Sequence, residues 1–198
     1  MRGKLIAFEG IDGTGKSTQL KLLATFLRQR GQLVLETKEP TDGPVGQQIR
    51  ALFHNRKSLS LDEELELFIE DRRMHVLQHI LPALEQGAFV LTDRYYYSTA
   101  AYQGARGADP ELIFEKNQFA PVPDLVLLFT MSCDESVRRI EQFRGEKLND
   151  FEQKDHLSKV ASLFASFSDP AIVHVDAARS LEVVRQDVVS IVCDRFDL

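Results

Sequence analysis

The chain has 198 residues, of which 43% are hydrophobic and 27% charged, and its formal net charge is −6. This length is typical of one globular domain, and we predict a single domain that spans residues 1–198. The composition argues against a disordered chain and against a strongly basic nucleic-acid-binding protein, so any phosphate should be bound by local basic residues.

Cysteine use and hydropathy indicate the cellular setting. Cys133 and Cys193 lie far apart and belong to no C-x-x-C pair, which predicts neither a disulfide framework nor a zinc site and favours a reducing compartment. No signal peptide precedes the first predicted strand, and no apolar run approaches the roughly 18 residues of a membrane span. We therefore expect a cytoplasmic protein without a membrane segment.

A glycine-rich segment follows the first predicted strand, residues 5–8, and precedes an amphipathic helix that ends near Gly31. The segment matches G-x-x-x-x-G-K-[ST], which predicts a loop that binds a nucleotide triphosphate. Glycines let backbone N–H groups approach phosphate oxygens, Lys16 supplies a positive charge, and the Ser17 hydroxyl suits Mg²⁺. The residues expected around the triphosphate are Gly10, Ile11, Asp12, Gly13, Thr14, Gly15, Lys16, Ser17 and Thr18.

The second predicted strand, residues 33–37, leads into Lys38-Glu39-Pro40. Ligands of open α/β sheets bind at the carboxyl ends of strands, so this charged pair is a candidate for substrate contact. An ordinary polar turn before a proline is the other interpretation. A short helix then carries Arg50, which either reaches a phosphate or is solvated.

A longer helix is predicted over residues 61–79, before Pro82 disturbs it. Phe68 and Arg72 are four residues apart and share one face of this helix. An aromatic ring beside a guanidinium could stack a base and donate to its carbonyl edge, although periodicity alone favours a core position for Phe68. We interpret His75 and His79 as structural.

The third predicted strand, residues 87–92, ends in Asp93-Arg94. A carboxylate at this end of a strand parallel to the first is where a magnesium-associated acid belongs, and an adjacent arginine can bind phosphate. A structural pair that caps the strand is the alternative. The segment that follows places polar groups at helical spacing, where they can face one pocket. They are Thr99, Tyr102 and Gln103.

Two more strands are predicted at residues 123–130 and 171–175. Between them, a charged segment at about 138–152 suits a lid that closes over polyphosphate and excludes water, although a solvated helix and loop would look similar. Its basic residues are Arg138, Arg139, Arg144 and Lys147. The last helix is predicted to begin after Ser180.

Taken together, four segments resemble motifs of the thymidylate kinase (dTMP kinase) family of P-loop nucleoside monophosphate kinases. They are the phosphate loop Gly10 to Thr18, the R-E-P element at Lys38-Glu39-Pro40, the L-F-x-x-[DA]-R helix at Leu67-Phe68 to Arg72, and the D-R-Y-x-x-S-x-x-A-Y-Q-G element at Asp93 to Gly104. The resemblance covers nearly the whole chain. It implies a P-loop NTPase α/β three-layer sandwich whose five-stranded parallel sheet has the order 2-3-1-4-5.

The resemblance also implies a reaction, in which the γ-phosphoryl group of Mg·ATP passes to dTMP in dTTP biosynthesis. The enzyme would be an ATP:dTMP phosphotransferase and a homodimer. Catalysis would depend on Lys16, Asp12, Arg94 and, in the lid, Arg144. Ser17 and Asp93 would organise Mg²⁺.

The roles implied for the acceptor site fall on named positions. Phe68 would stack the thymine, Arg72 would bond its 4-carbonyl, and Tyr102 would disfavour a ribose 2′-hydroxyl. Asp12 would hold the 3′-hydroxyl of the deoxyribose. The full set expected around dTMP is Asp12, Lys38, Glu39, Arg50, Phe68, Arg72, Arg94, Thr99, Tyr102 and Gln103.

Three departures from the family pattern affect these roles. Lys38 replaces the usual arginine, which keeps the charge but removes a bidentate donor. Thr41-Asp42-Gly43 replaces the usual G-G-T, and Asp150 stands in the lid where a base is expected. A P-loop kinase for another nucleotide, or a regulatory protein or weak pseudokinase, therefore remains an alternative. A GTPase is disfavoured because the sequence has no N-K-x-D motif.

Overall fold

Within the residues described by this computed structural model, which are 2–52, 59–144 and 153–198, five parallel strands form one sheet. The strands are β1 (Lys4–Glu9), β2 (Val34–Lys38), β3 (Phe89–Asp93), β4 (Leu125–Thr130) and β5 (Ile172–Asp176). Their order is β2-β3-β1-β4-β5. The predicted fold class and strand order are therefore confirmed.

Helices connect the strands and cover both faces of the sheet. They are α1 (Lys16–Gln29), α2 (Pro44–Ala51), α3 (Leu61–His75), α4 (Leu81–Glu85), α5 (Tyr96–Gly104), α6 (Pro110–Lys116), α7 (Cys133–Arg144), α8 (Lys154–Ser166) and α9 (Leu181–Phe196). Ser180 caps α9 as predicted, and its hydroxyl accepts from the backbone N–H of Val183. Within the described residues, no helix is both long enough and apolar enough to cross a membrane.

Alternation along the buried strands divides the core into two layers. In β1, Ile6 and Phe8 point to the face covered by α1 and α9, whereas Leu5 and Ala7 point to the opposite face. All four side chains are buried. Burial on both faces explains why these strands read as continuous apolar runs.

The predicted helix over 61–79 differs from the structure at its carboxyl end. The chain passes from α3 into a π-helical turn, Val76–Ile80, and continues directly into α4. Pro82 is the second residue of α4 and follows the π-helical turn directly. Pro82 therefore does not end the helical path.

The strand register brings the predicted functional segments to one edge of the sheet. Phe8 of β1 and Lys38 of β2 both lie opposite Asp93 of β3. Because all three strands run in the same direction, the segments that follow them emerge side by side. The phosphate loop, the Lys38-Glu39-Pro40 segment and Arg94 are therefore neighbours.

Candidate active site

The loop between β1 and α1 has the backbone that its glycines predict. Gly10 has φ 131°, and a Cβ atom there would lie 2.3 Å from the carbonyl oxygen of Phe129. Gly15, with φ 84°, immediately precedes α1. The unpaired N–H groups at the start of α1 therefore face the loop, which makes this helix end a site for anions.

Lys16 is buried beneath the loop, with 6% of its surface exposed. Its Nζ donates to the carbonyl of Ile11 at 2.8 Å and lies 3.4 Å from Thr14 Oγ1. Burial, together with the nearby charge of Arg94, lowers the pKa of Lys16 to about 8. The ammonium group therefore needs an anion to stabilise its charge in this site.

Ser17 and Asp93, the two residues predicted to organise Mg²⁺, are in direct contact. The Ser17 hydroxyl donates directly to the Asp93 carboxylate. An oxygen-only pair fits Mg²⁺, which takes one or two protein oxygens and completes its coordination with phosphates and water. No cluster of three His, Cys, Asp or Glu side chains suited to a metal occurs in the described ranges.

Asp12, Arg94 and Tyr102 form a connected group beside the loop. Arg94 Nη2 donates to Asp12 Oδ1 at 2.7 Å, and the Tyr102 hydroxyl donates to Asp12 Oδ2 at 2.7 Å. Burial alone would raise the pKa of Asp12, but the charges of Arg94 and Lys16 lower it to about 2. The three residues predicted to contact the sugar and the acceptor phosphate therefore lie together, with the carboxylate ionised.

Glu9 was missed by the sequence analysis as a functional residue. It is fully buried at the end of β1, and its carboxylate accepts from the backbone N–H groups of Tyr95 at 2.8 Å and Ser98 at 3.2 Å. The Ser98 hydroxyl also donates to it, at 2.5 Å. Glu9 thus ties β1 to the start of α5 and fixes Arg94, which has φ 72°. The signal in the sequence that could have pointed to Glu9 is an acidic residue within an apolar, buried strand.

Arg72 lies at the centre of a buried polar cluster. Its Nε and Nη2 donate to Glu39 Oε2 at 2.8 and 2.6 Å, and Nη2 also donates to Thr99 Oγ1 at 2.9 Å. Its Nη1 donates to Asn117 Oδ1 at 2.6 Å. The structure therefore brings together Glu39, Arg72 and Thr99, three of the residues expected around dTMP, and adds Asn117, which no signal in the sequence indicated.

His75 extends the same cluster towards β2. Its Nδ1 lies 2.9 Å from Glu39 Oε1, and its Nε2 lies 2.6 Å from Thr37 Oγ1. The side chain is buried, whereas His79 is exposed. These contacts agree with a structural role for His75.

Gln103 and Phe68 are two of the residues expected around the base, and they differ in exposure. Gln103 Nε2 donates to Glu64 at 2.9 Å, but within the described ranges no donor lies within hydrogen-bonding reach of its buried Oε1. Phe68 is half-buried, so its ring retains an accessible surface. Phe68 therefore offers a stacking surface, and the buried Oε1 of Gln103 is an acceptor that the described part of the chain does not use.

Lys38 and Arg50 converge on Asp42 rather than standing free. Lys38 Nζ is 3.0 Å and Arg50 Nη2 is 3.2 Å from Asp42 Oδ1. Arg50 Nη1 also donates to the carbonyl of Pro40 at 3.0 Å. Arg50 is therefore directed towards the Lys38-Glu39-Pro40 segment, and its contact with a phosphate stays a prediction.

A cavity of about 780 Å³ extends from the phosphate loop between α7 and the segment leading into α9. Arg138 and Arg139 line it, and both donate to Glu135. The predicted catalytic Arg144 is the last residue of α7, but its side chain lies outside the described residues, as do Lys147 and Asp150. The cavity therefore offers room for a nucleotide beside the loop.

The sheet order, the loop and the acidic and basic groups at one edge define a P-loop nucleotide kinase. The family model described as Thymidylate kinase matches residues 8–188. The chain belongs to the thymidylate kinase family.

Individual relatives agree along most of their length. A protein of Desulfotalea psychrophila named "Thymidylate kinase" is 52% identical over 94% of this chain and 93% of its own. One of Archaeoglobus fulgidus named "Probable thymidylate kinase" is 44% identical over 93% of this chain and 92% of its own. One of Akkermansia muciniphila named "Thymidylate kinase" is 44% identical over 98% of this chain and 94% of its own.

Proposed function

We propose that the protein transfers the γ-phosphoryl group of Mg·ATP to the 5′-phosphate of dTMP, which gives ADP and dTDP. The observation that carries this proposal is the pairing of two sites at one sheet edge. The phosphate loop lies on one side, the buried cluster around Arg72 lies on the other, and Asp12, Arg94 and Tyr102 stand between them.

The transfer depends on position and charge rather than on a strong base. An oxygen of the acceptor phosphate, already a competent nucleophile, forms a bond to Pγ while the bond from Pγ to the β,γ-bridging oxygen breaks and ADP leaves. Lys16 and Arg94 neutralise charge that develops on the phosphoryl oxygens. Arg144, from the proposed lid over 138–152, would add a further positive charge.

Mg²⁺ would be held by Ser17 and Asp93. When bound, the metal neutralises phosphate charge and orients the polyphosphate. The direct contact between the Ser17 hydroxyl and the Asp93 carboxylate places both oxygens at the start of α1. This placement supports their joint use with the phosphates of ATP.

Thymine recognition would use the groups that the buried cluster presents. We assign stacking to Phe68, an acceptor for the imide N–H to Thr99 or Gln103, and a donor for the 4-carbonyl to Arg72. Four of the five N–H groups of Arg72 already point at protein acceptors, which fixes the plane of the guanidinium. Recognition would therefore come from a preorganised guanidinium.

We also propose that residues 1–198 act as one cytoplasmic domain and assemble as a homodimer, with no nucleic-acid polymer as partner. The net charge of −6 supports the last point, because it disfavours a polyanion as partner.

The decisive experiment measures ADP release with dTMP, dUMP, dCMP and dGMP as separate acceptors. We expect dTMP to give a higher kcat/KM than dCMP and dGMP, because the Thr99 and Gln103 set suits an imide edge, which dTMP shares with dUMP. The variant Phe68→Ala, measured in the same panel, is expected mainly to raise the KM for dTMP. ATP binding without acceptor-dependent turnover would instead identify a regulatory protein.

ATP affinity is expected to weaken above about pH 8. In the free protein the pKa of Lys16 is lowered to about 8, so at higher pH the amine is neutral and must take up a proton when phosphate binds. The Kd for ATP should rise by up to about tenfold per pH unit. Calorimetry at pH 7 to 9.5, in buffers of different ionisation enthalpy, measures both the Kd and the uptake.

Thymidine, which carries no phosphate, serves as the control ligand for this experiment. Its affinity should not follow the titration of Lys16. A flat Kd for ATP up to pH 9.5, without proton uptake, would contradict the lowered pKa.

A further inference from the structure

One carboxylate lies between Lys38 and Arg50, two basic side chains that are expected around dTMP. The ion pairs of Lys38 and Arg50 with Asp42 end on the same atom, Asp42 Oδ1. The hydrogen bond from Lys38 lowers the pKa of Asp42, so its carboxylate is ionised at neutral pH. The two cations therefore already share an anionic oxygen, as they would share an oxygen of a phosphate.

The turn that carries Asp42 is fixed by contacts on both of its sides. Thr41 donates to the two oxygens of Asp71 in α3, through its N–H at 2.8 Å and its hydroxyl at 2.6 Å. On the other side, a Cβ atom at Gly46 would lie 2.0 Å from the carbonyl oxygen of Thr41, so α2 packs directly on the turn. The backbone of the turn that carries Asp42 is therefore held in place.

The pairing lies where an acceptor phosphate has to approach. Lys38 is opposite Asp93 in the sheet register. Ser17, Lys38, Asp42 and Asp93 line one open groove of about 680 Å³. An anion that comes to Lys38 from this groove therefore meets the Asp42 carboxylate.

We propose that Asp42 is a specificity-determining residue that competes with the acceptor phosphate for Lys38 and Arg50. This inference rests on the proposed function, since it takes the anion at Lys38 to be the 5′-phosphate of dTMP. A phosphate brings more charge and more acceptor oxygens than a carboxylate, so it displaces Asp42 from both cations. Asp42 therefore lowers the affinity for a nucleotide but not for the corresponding nucleoside.

The exposure of the three side chains sets the size of the effect. Lys38 is 55%, Arg50 33% and Asp42 75% exposed, so solvent and salt screen the two ion pairs. We expect removal of the negative charge of Asp42 to tighten dTMP binding by roughly three- to tenfold.

Asp42→Asn tests the proposal, because it keeps the shape of the side chain and removes its charge. Calorimetry should show a Kd for dTMP that is lower by roughly three- to tenfold, with an unchanged Kd for thymidine. Steady-state assays should show the change in the KM for dTMP rather than in kcat. Glu36→Gln is the matched control, because Glu36 lines the same groove but pairs with Arg28, and it should keep the wild-type Kd.

A double-mutant cycle isolates the competition itself. In a Lys38→Met background the gain from Asp42→Asn should shrink, because one of the two contested cations is gone. An unchanged or weaker dTMP affinity in Asp42→Asn would overturn the proposal, as would an equal gain for thymidine. If the wild-type protein shows no dTMP-dependent ADP release, the proposed function fails instead, and the two failures are thereby distinguished.

Discussion

Lys16→Ala is expected to lower dTMP-dependent ADP formation by at least about 10²- to 10³-fold, equivalent to about 3 to 4 kcal/mol of barrier. Lys16 is the buried cation of the phosphate loop, and its Nζ reaches the loop carbonyl of Ile11. A cation fixed in a protected site stabilises developing phosphoryl charge more strongly than one in water does. Coupled measurement of ADP release at saturating dTMP checks the effect.

The loss should come from chemistry and not from unfolding. Burial lowers the pKa of Lys16, which means that the protein does not favour the charged ammonium at this place. Removing it should therefore leave the melting temperature close to that of the wild type. Lys21→Ala removes an exposed lysine from the same helix and is the matched control.

Two results would contradict the role assigned to Lys16. If Lys16→Ala and Lys21→Ala keep similar turnover, Lys16 does not act on the transferred group. If Lys16→Ala loses only ATP affinity, with kcat retained at saturation, its role is uniform binding and not stabilisation of the transition state.

The parts of the fold that were predictable from sequence depend on local signals. Burial on both faces makes β1, β3 and β4 continuous apolar runs, and the spacing of Gly10, Gly15 and Lys16 defines the loop without any distant contact. The strand order and the assignment to a kinase family came from resemblance. Both are confirmed by the structure and the comparisons.

What the sequence could not predict are contacts between residues far apart in the chain. Arg72 meets Asn117 across 45 positions, and Glu9 meets Ser98 across 89. The partner of Lys38 depends on the path of the turn at Asp42, which differs from the family pattern. Such pairings follow from how loops pack at the sheet edge, so no periodicity in the sequence encodes them.

The cluster around Arg72 illustrates how stability and recognition share the same atoms. Burial alone would raise the pKa of Glu39, but the charge of Arg72 and the hydrogen bond with His75 hold it below its usual value. Glu39 therefore stays ionised, and its contribution to stability is present at neutral pH and is lost as pH falls below about 4.5. Arg72, held by this carboxylate, presents a fixed plane towards the proposed thymine site.

Arg72→Met is expected to lower the free energy of unfolding by about 3 to 5 kcal/mol at pH 7, because it leaves the buried Glu39 without its main counter-charge. Urea unfolding followed by circular dichroism measures the change. Arg73→Met, on the same helix, is the matched control. Arg73 is 47% exposed and lies 3.9 Å from Glu70, so its loss should cost about 1 kcal/mol or less.

The pH dependence of this loss separates a missing charge from a missing side chain. In Arg72→Met the burial of Glu39 is no longer offset by the charge of Arg72, so its folded pKa should rise and the penalty for its charge should grow as pH increases. The difference from wild type should therefore shrink as pH is lowered towards 4. The double variant Glu39→Gln/Arg72→Met should recover part of the stability, because it leaves no unpaired buried charge. Equal losses for Arg72→Met and Arg73→Met at every pH would contradict a role for the buried pair.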